Sequence, residues 1–249
     1  MSHARFDLRC EVVRWERVTP VIVELTLQPR SAPLAYTAGQ YVLLADAEGR
    51  RPQRSYSIAN APRPDGLLTI LVTRVEGGVL TTWVHDDLHP GDEVSVEGPY
   101  GTFTPVTDRP LLLLAGGSGL APMRAIAEAS LAERPQRPIT LFFSARTPQD
   151  VIDRRLFADW QRSHTGFRYL LTLTRSGDAP LRGRIPDLLA AAVGSTAGYE
   201  IFLAGSQPFV TDCLQSVRRL GADAAQVHTE PFFCDPQPWL ALPKDAQDS

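Results

Sequence analysis

The feature that most constrains this chain is a change in the period of its apolar residues near residue 106, because one sheet or one bundle cannot satisfy both halves. Downstream, LLLLAG, ITLFFSAR, FRYLLTLTR, EIFLAG and QVHTEPFF read as strands. Between them PMRAIAEASLAER, RRLFADWQR, IPDLLAAAV and PFVTDCLQSVRRLG read as helices. Strands alternating with helices of about 10 to 14 residues predict a doubly wound parallel sheet with helices on both faces. Upstream, CEVVRWERV, IVELTLQP, YVLLADA, LLTILVTRV and DEVSVEGPY are short β-branched runs separated by Gly, Pro, Asn and Asp turns. They predict an antiparallel β domain, interrupted by one helix over LTTWVHDDL, residues 80–88.

The boundary is expected within TPVTDRP, residues 104–110, which gives a β domain over 1–106 and an α/β domain over 107–233. The remaining stretch, 234–249, is Pro-rich and aperiodic, so it is expected to be an extended C-terminal extension. A length of 249 residues suits two modest domains, and 43% hydrophobic with 21% charged residues suits a soluble globular chain. A net charge of -3 argues against a nucleic-acid partner, which requires clustered Lys and Arg on one face. The opening MSHARFDLRCE has no apolar signal core, and no run approaches the ~20 residues that span a bilayer. No membrane partner and a cytoplasmic location are therefore expected. Cys10, Cys213 and Cys234 are odd in number and scattered, and match neither a disulfide framework nor the C-x4-C-x2-C spacing of a plant-type iron–sulfur cluster.

LLLLAGGSGLAPM, residues 111–123, joins the first strand of the α/β domain to its first helix, at the edge where such sheets bind ligands. Gly117 and Gly119, with Ser118 between them, let backbone N–H groups approach a pyrophosphate at a helix N-terminus. Proline stands at 122, where the usual G-x-G-x-x-G loop has its third glycine, and in a first helical turn its missing N–H is of no consequence. The loop alone is equally consistent with a plain glycine-rich turn.

RPQRSYSIAN, residues 51–60, places Arg54 and Tyr56 on one face of a strand and Ser57 on the other. A guanidinium beside an aromatic ring suits a ligand that carries a phosphate and a flat ring. An exposed strand face with an edge arginine is the alternative. In VEGGVLTTWV, Gly77 and Gly78 precede a helix start carrying Thr81, which is either a second phosphate cradle or a turn with its cap.

Taken in order, AGQYV, RSYS, GGVLT, GPYGTF, AGGSGLAPM and IFLAGSQPFV resemble the ferredoxin–NADP reductase family of flavoprotein reductases, over nearly the whole chain. The resemblance implies an N-terminal Greek-key β-barrel that binds FAD and a C-terminal NAD(P)-binding domain, with no fused iron–sulfur domain. It implies that Arg54 binds the flavin phosphate, that Tyr56 packs on the ribityl chain or ring, that Ser57 lies near flavin N5 and that Gly77, Gly78 and Thr81 sit on the pyrophosphate. Gly117, Ser118 and Gly119 are then expected against the nicotinamide dinucleotide, with Gly205 and Ser206 near its nicotinamide half. Glu230 matches an acidic residue kept close to the flavin, and Ser57 and Glu230 are the catalytic candidates. The chain departs from the pattern at Ala204, where many members carry cysteine, and in running beyond Phe233, where many end on an aromatic. Phe232, Phe233 or Trp239 is expected to screen the ring, with the tail folded over it.

Arg146, Arg175 and Arg184 follow strand ends, and an Asp or Glu for a ribose 2'-hydroxyl is missing after ITLFFSA. NADPH is therefore preferred over NADH as the expected nucleotide. The expected activity is hydride uptake from NAD(P)H onto bound FAD and single-electron delivery to a separate protein: a ferredoxin, flavodoxin or oxygenase component. The alternatives are a reductase of free flavin and a non-catalytic nucleotide-binding module. A monomer is the expected state.

Overall fold

The computed structural model describes residues 7–175 and 181–232. Its first half is a sheet of β1 (Asp7–Thr19), β2 (Ile22–Pro29), β3 (Tyr41–Asp46), β4 (Arg54–Ser57), β5 (Leu68–Thr73) and β6 (Glu93–Tyr100). All pairings are antiparallel, in the order β4-β3-β6-β1-β2-β5. The two edge strands meet, because Ile58 bridges Ile70 and the Ala59 N–H donates to the Thr69 carbonyl at 2.7 Å. That seam closes the sheet into a barrel and removes its free edges. Asn60 locks the seam from inside: its amide donates to the carbonyls of Ala61 and Leu67, and its oxygen accepts from the Thr69 N–H at 2.7 Å. Val12, Val23, Leu25, Val42, Leu44, Ile70 and Val96 fill the interior, and α1 (Val79–Asp86) adds Leu80 and Val84 to the same core.

The second half is a parallel sheet of β7 (Leu111–Gly116), β8 (Ile139–Ala145), β9 (Phe167–Leu173), β10 (Leu181–Arg182), β11 (Glu200–Ser206) and β12 (Val227–Phe232). Its order is β10-β9-β8-β7-β11-β12. Leu111 and Leu113 pack with Leu120 and Ile126 of α2 (Leu120–Glu133) and Phe157 of α3 (Arg154–Ser163). Leu112 and Leu114 instead pack with Leu189 of α4 (Ile185–Val193) and Val217 of α5 (Gln207–Arg219). Successive residues of β7 therefore feed two cores, which is why helices cover both faces. Strand order reverses between β7 and β11, and this places a switch-point crevice at the end of β7.

The expected antiparallel-then-parallel architecture is what forms. Two details differ from the sequence reading. β10 was not anticipated, since two residues paired to β9 through Leu181↔Thr172 are too short to show a period. α2 starts at Leu120 rather than Pro122, because Gly117–Gly119 already turn as a 3-10 helix and deliver the chain into helical geometry.

Fully buried Glu200, the first residue of β11, pins the connection between the two halves. It accepts from the Val106 N–H at 2.8 Å, the Thr107 hydroxyl at 2.8 Å and the Arg137 guanidinium at 3.1 Å. Burial by itself would push this carboxyl up, but these donors together outweigh it and hold the group below the ordinary carboxylate range.

Candidate active site at the domain junction

A cavity of about 600 Å³ opens between the barrel and the second sheet. β4 contributes Arg54, Tyr56 and Ser57 to its wall, the start of α1 contributes Gly77, Gly78 and Thr81, the loop after β7 contributes Ser118, and β12 contributes Glu230. Tyr56 leans on the barrel core while Ser57 turns towards the second domain, the alternation expected of a strand. Arg54 is half-buried, and its guanidinium donates to the Gln53 carbonyl at 2.8 Å.

The start of α1 is bare. Gly77 has φ 72°, and a Cβ on Gly78 would lie 2.5 Å from the Thr81 hydroxyl oxygen, so the turn excludes side chains at both positions. No side chain caps the helix from Gly78, and residues 77–81 at its start line the cavity, so the uncapped N-terminus of α1 lies at the cavity wall. Thr81 is turned inward, its hydroxyl lying 3.2 Å from the Gly78 carbonyl.

Two hydrogen bonds tie the barrel to the second domain at the cavity. The Ser57 hydroxyl donates to Glu230 Oε1 at 2.5 Å, and the Thr73 hydroxyl donates to Ser118 Oγ at 2.8 Å. Burial pushes the Glu230 carboxyl above the usual carboxylate range, and the Ser57 bond only partly opposes it. The result is a carboxyl that retains its proton to higher pH than usual, beside the buried Ser57.

The glycines of the β7 loop do different work. Gly117, at φ 57°, has open space where a side chain would be, so the backbone there is accessible. A Cβ on Gly119 would fall 2.2 Å from the Ala204 carbonyl oxygen, so its bareness serves contact between α2 and β11. The close crossing usually assigned to a third glycine is thus made at Gly119, which leaves Pro122 free to occupy the first turn of α2. Across the crevice, Gly205 has φ 153°, and its Cβ would meet the Phe209 ring at 2.8 Å. Exposed Ser206 precedes α5. Gly117, Gly119, Gly205 and Ser206 lie at this crevice, outside the lining of the junction cavity.

The three arginines are not equivalent. The Arg175 N–H donates to the Arg146 carbonyl at 2.8 Å, which brings the two exposed residues together at the ends of β8 and β9. Among the described residues, Arg146 has a long ion pair with Asp150, at 3.8 Å. Arg184 is instead engaged by Asp212 of α5.

Several cavity residues were not singled out from the sequence. Tyr41 and Phe103 sit within the quoted AGQYV and GPYGTF motifs, and Phe103 is braced edge-on by Phe202 at 5.0 Å. Thr73 carried no signal, since its role depends on a partner in the other domain. Of the three aromatics expected to screen a ring, Phe232 lines the cavity, whereas Phe233, Trp239 and the whole expected tail contact lie outside the described residues. Among the described residues no helix is long and apolar enough to cross a membrane.

Residues 10–104 match the oxidoreductase FAD-binding domain, and residues 113–215 match the oxidoreductase NAD-binding domain. The chain is 37% identical over 207 residues to the aromatic O-demethylase reductase subunit of an Amycolatopsis species, covering 80% of this chain and 62% of that protein. It is 32% identical over 241 residues to ferredoxin–NADP reductase B of Sorangium cellulosum, covering 91% of this chain and 97% of that protein. The fold superposes on the crystal structure of the Amycolatopsis cytochrome P450 reductase GcoB with a TM-score of 0.86 and 33% identity, over 93% of this chain and 71% of that one. The chain spans about 60% of the length of several curated relatives it matches, the reductase components of oxygenase systems among them.

Proposed function

The chain belongs to the ferredoxin–NADP reductase family, and from that premise we propose that it is an NAD(P)H-dependent flavoprotein reductase that binds FAD in the junction cavity and passes electrons singly to a separate ferredoxin, flavodoxin or oxygenase component. The observation that carries this reading is the hydrogen bond from Ser57 to Glu230, which puts a proton-holding pair from both domains at one wall of that cavity. The donor set fits FAD: a guanidinium at Arg54, a bare helix start at Gly78, aromatic side chains at Tyr56 and Phe232, and a volume of about 600 Å³.

Bound flavin supplies the redox chemistry, accepting two electrons with hydride and releasing them one at a time. Arg54 would hold a phosphate, and the first turn of α1 with Gly77, Gly78 and Thr81 would hold the pyrophosphate. Tyr56 packs against the ribityl chain or ring. Ser57 offers its hydroxyl to a ring nitrogen, and Glu230, protonated more readily than an ordinary carboxyl, holds or returns the proton through Ser57 Oγ. Gly117, Ser118 and Gly119, with Gly205 and Ser206 across the crevice, receive the nicotinamide dinucleotide and orient it towards the cavity.

NADPH is the preferred reductant, because Arg146 and Arg175 stand together at the strand ends, and among the described residues Arg146 meets a carboxylate at no less than 3.8 Å. Arg184 joins them only by giving up Asp212. The flavin-binding unit spans 1–106 and the nucleotide-binding unit 107–233, and the protein acts in the cytoplasm as a monomer.

The test is the visible spectrum of the purified protein, recorded anaerobically with NADPH and, in parallel, with NADH. Stoichiometric yellow flavin that bleaches with either nucleotide is the expected result, faster with NADPH. Protein that releases its flavin on gel filtration and reduces added flavin would make the flavin a substrate, and flavin that neither nucleotide bleaches would remove the enzymatic reading.

A further inference from the structure

α2 does more than follow the glycine loop, because its polar residues reach back into the barrel. Arg124 is only 7% exposed and lies five residues beyond Gly119. Its Nε donates to the Ala59 carbonyl at 2.6 Å, and its Nη1 donates to Glu24 Oε2 at 2.7 Å and to Asp153 Oδ2 at 2.6 Å. Glu24 belongs to β2 of the barrel, whereas Asp153 precedes α3 in the second domain. One guanidinium therefore joins both domains through three separate segments. One turn along the same face of α2, Glu128 accepts from the Ala61 N–H at 2.8 Å.

Ala59 and Ala61 flank Asn60, and Ala59 lies two residues after Ser57. Asn60 fixes this segment from within the barrel, and Arg124 with Glu128 fixes it from outside. Asp153 is held at φ 56°, the left-handed region that a non-glycine residue occupies only when its surroundings impose it. Its carboxylate on Arg124 is one such constraint.

Building on the flavin reading, we infer that Arg124 is a positioning residue which, with Glu128, sets the separation between the glycine loop and Ser57. The loop is at the start of the helix and Ser57 two residues before Ala59, so both ends of the clamp lie next to reacting partners. With the Thr73–Ser118 bond, it ties the barrel to the segment that runs from the glycine loop into α2. Misplacement of such groups by about 1 Å is enough to slow a transfer step on the order of a hundredfold.

Lysine at 124 keeps the charge between Glu24 and Asp153, but its single nitrogen has no fork to reach Ala59 as well. Glu128→Ala removes the grip on Ala61 and a charge near Arg63 and Tyr36 but leaves the ion pairs of Arg124 intact, so it stands in if Arg124→Lys fails to fold. Spin labels on cysteines replacing exposed Glu48 of the barrel and Arg162 of α3, in a Cys234→Ser background, report the distance between domains with or without flavin. Cys10 and Cys213 are buried and should not label. The expected result is a narrow distance distribution in the parent that broadens in Arg124→Lys and, less, in Glu128→Ala. Alongside, the limiting rate of flavin reduction falls about tenfold at unchanged nucleotide affinity and flavin spectrum. An unchanged distribution and rate in both variants would overturn the inference, and so would a rate that falls only in proportion to lost flavin or lost folded protein. A parent protein that binds no flavin would fail the functional reading alone, because the distance measurement does not depend on it.

Discussion

The hydroxyl of Ser57, in the barrel, donates to Glu230, in the last described strand of the second domain, at 2.5 Å, although 173 positions separate them in the chain. Neither residue alone forms a site. Ser57→Ala and Glu230→Gln should each slow flavin reduction by about 10²-fold, the scale of a lost positioned proton donor, with flavin binding nearly unchanged. Stopped-flow reduction at saturating NADPH measures it; rates within twofold of the parent would remove the pair from the chemistry.

The same pair has a signature in stability. Burial raises the Glu230 carboxyl, so the native state binds a proton that the unfolded state has already released. Its contribution is fully present below the ordinary carboxylate range and is lost as pH rises through the raised value. Glu230→Gln should therefore flatten the melting temperature against pH above the ordinary carboxylate range. Ser57→Ala, which removes the bond favouring the charged form, should move the decline further up. Parallel melting curves for parent and Glu230→Gln would contradict the assignment.

Glu200 predicts the opposite slope. Its donors hold its carboxyl low despite burial, so the stabilisation is present above the ordinary carboxylate range and disappears as pH falls through the native value. Glu200→Ala leaves Arg137 buried without its carboxylate partner and should cost about 3–5 kcal/mol in urea unfolding at neutral pH. Acid unfolding of that variant should lose its steepest part.

Flavin affinity should depend on Arg54 and on the bareness of residue 78. Loss of a charge-assisted phosphate contact is worth about 1.5–3 kcal/mol, so Arg54→Ala should weaken FAD binding roughly 10- to 150-fold in a titration of stripped protein. Gly78→Ala should also weaken it, since a Cβ 2.5 Å from Thr81 Oγ1 must distort the turn.

Nucleotide choice is tested at Arg146. Arg146→Ala should raise KM for NADPH about tenfold or more and leave KM for NADH within about twofold. Equal losses with both nucleotides would mean that the arginine does not meet a 2'-phosphate.

Much of this was legible in the chain itself. Apart from β10, the strands of both sheets were legible from short apolar and β-branched runs such as LLLLAG, and the helices from their period, because these signals are local. RSYS and the Gly77–Gly78 turn could be named only as candidate ligand contacts, because guanidinium, ring and glycine turn carry their chemistry wherever they stand. Thr73 could not, since a threonine on a strand acquires meaning only opposite Ser118. Gly119 could be named as a loop glycine, but that a Cβ there would strike the Ala204 carbonyl depends on the position of β11.

What the sequence determined by itself is therefore the set of elements and the chemical repertoire of their ends, both of which depend on neighbours a few residues away. Tertiary structure alone decided that Ile58 seals the barrel against Ile70, that Glu230 meets Ser57, that Asp212 takes Arg184, and that Arg124 reaches three distant segments at once. Each depends on distances between segments far apart in the chain, which period and propensity do not encode and which the packing of barrel on sheet sets to within a hydrogen bond.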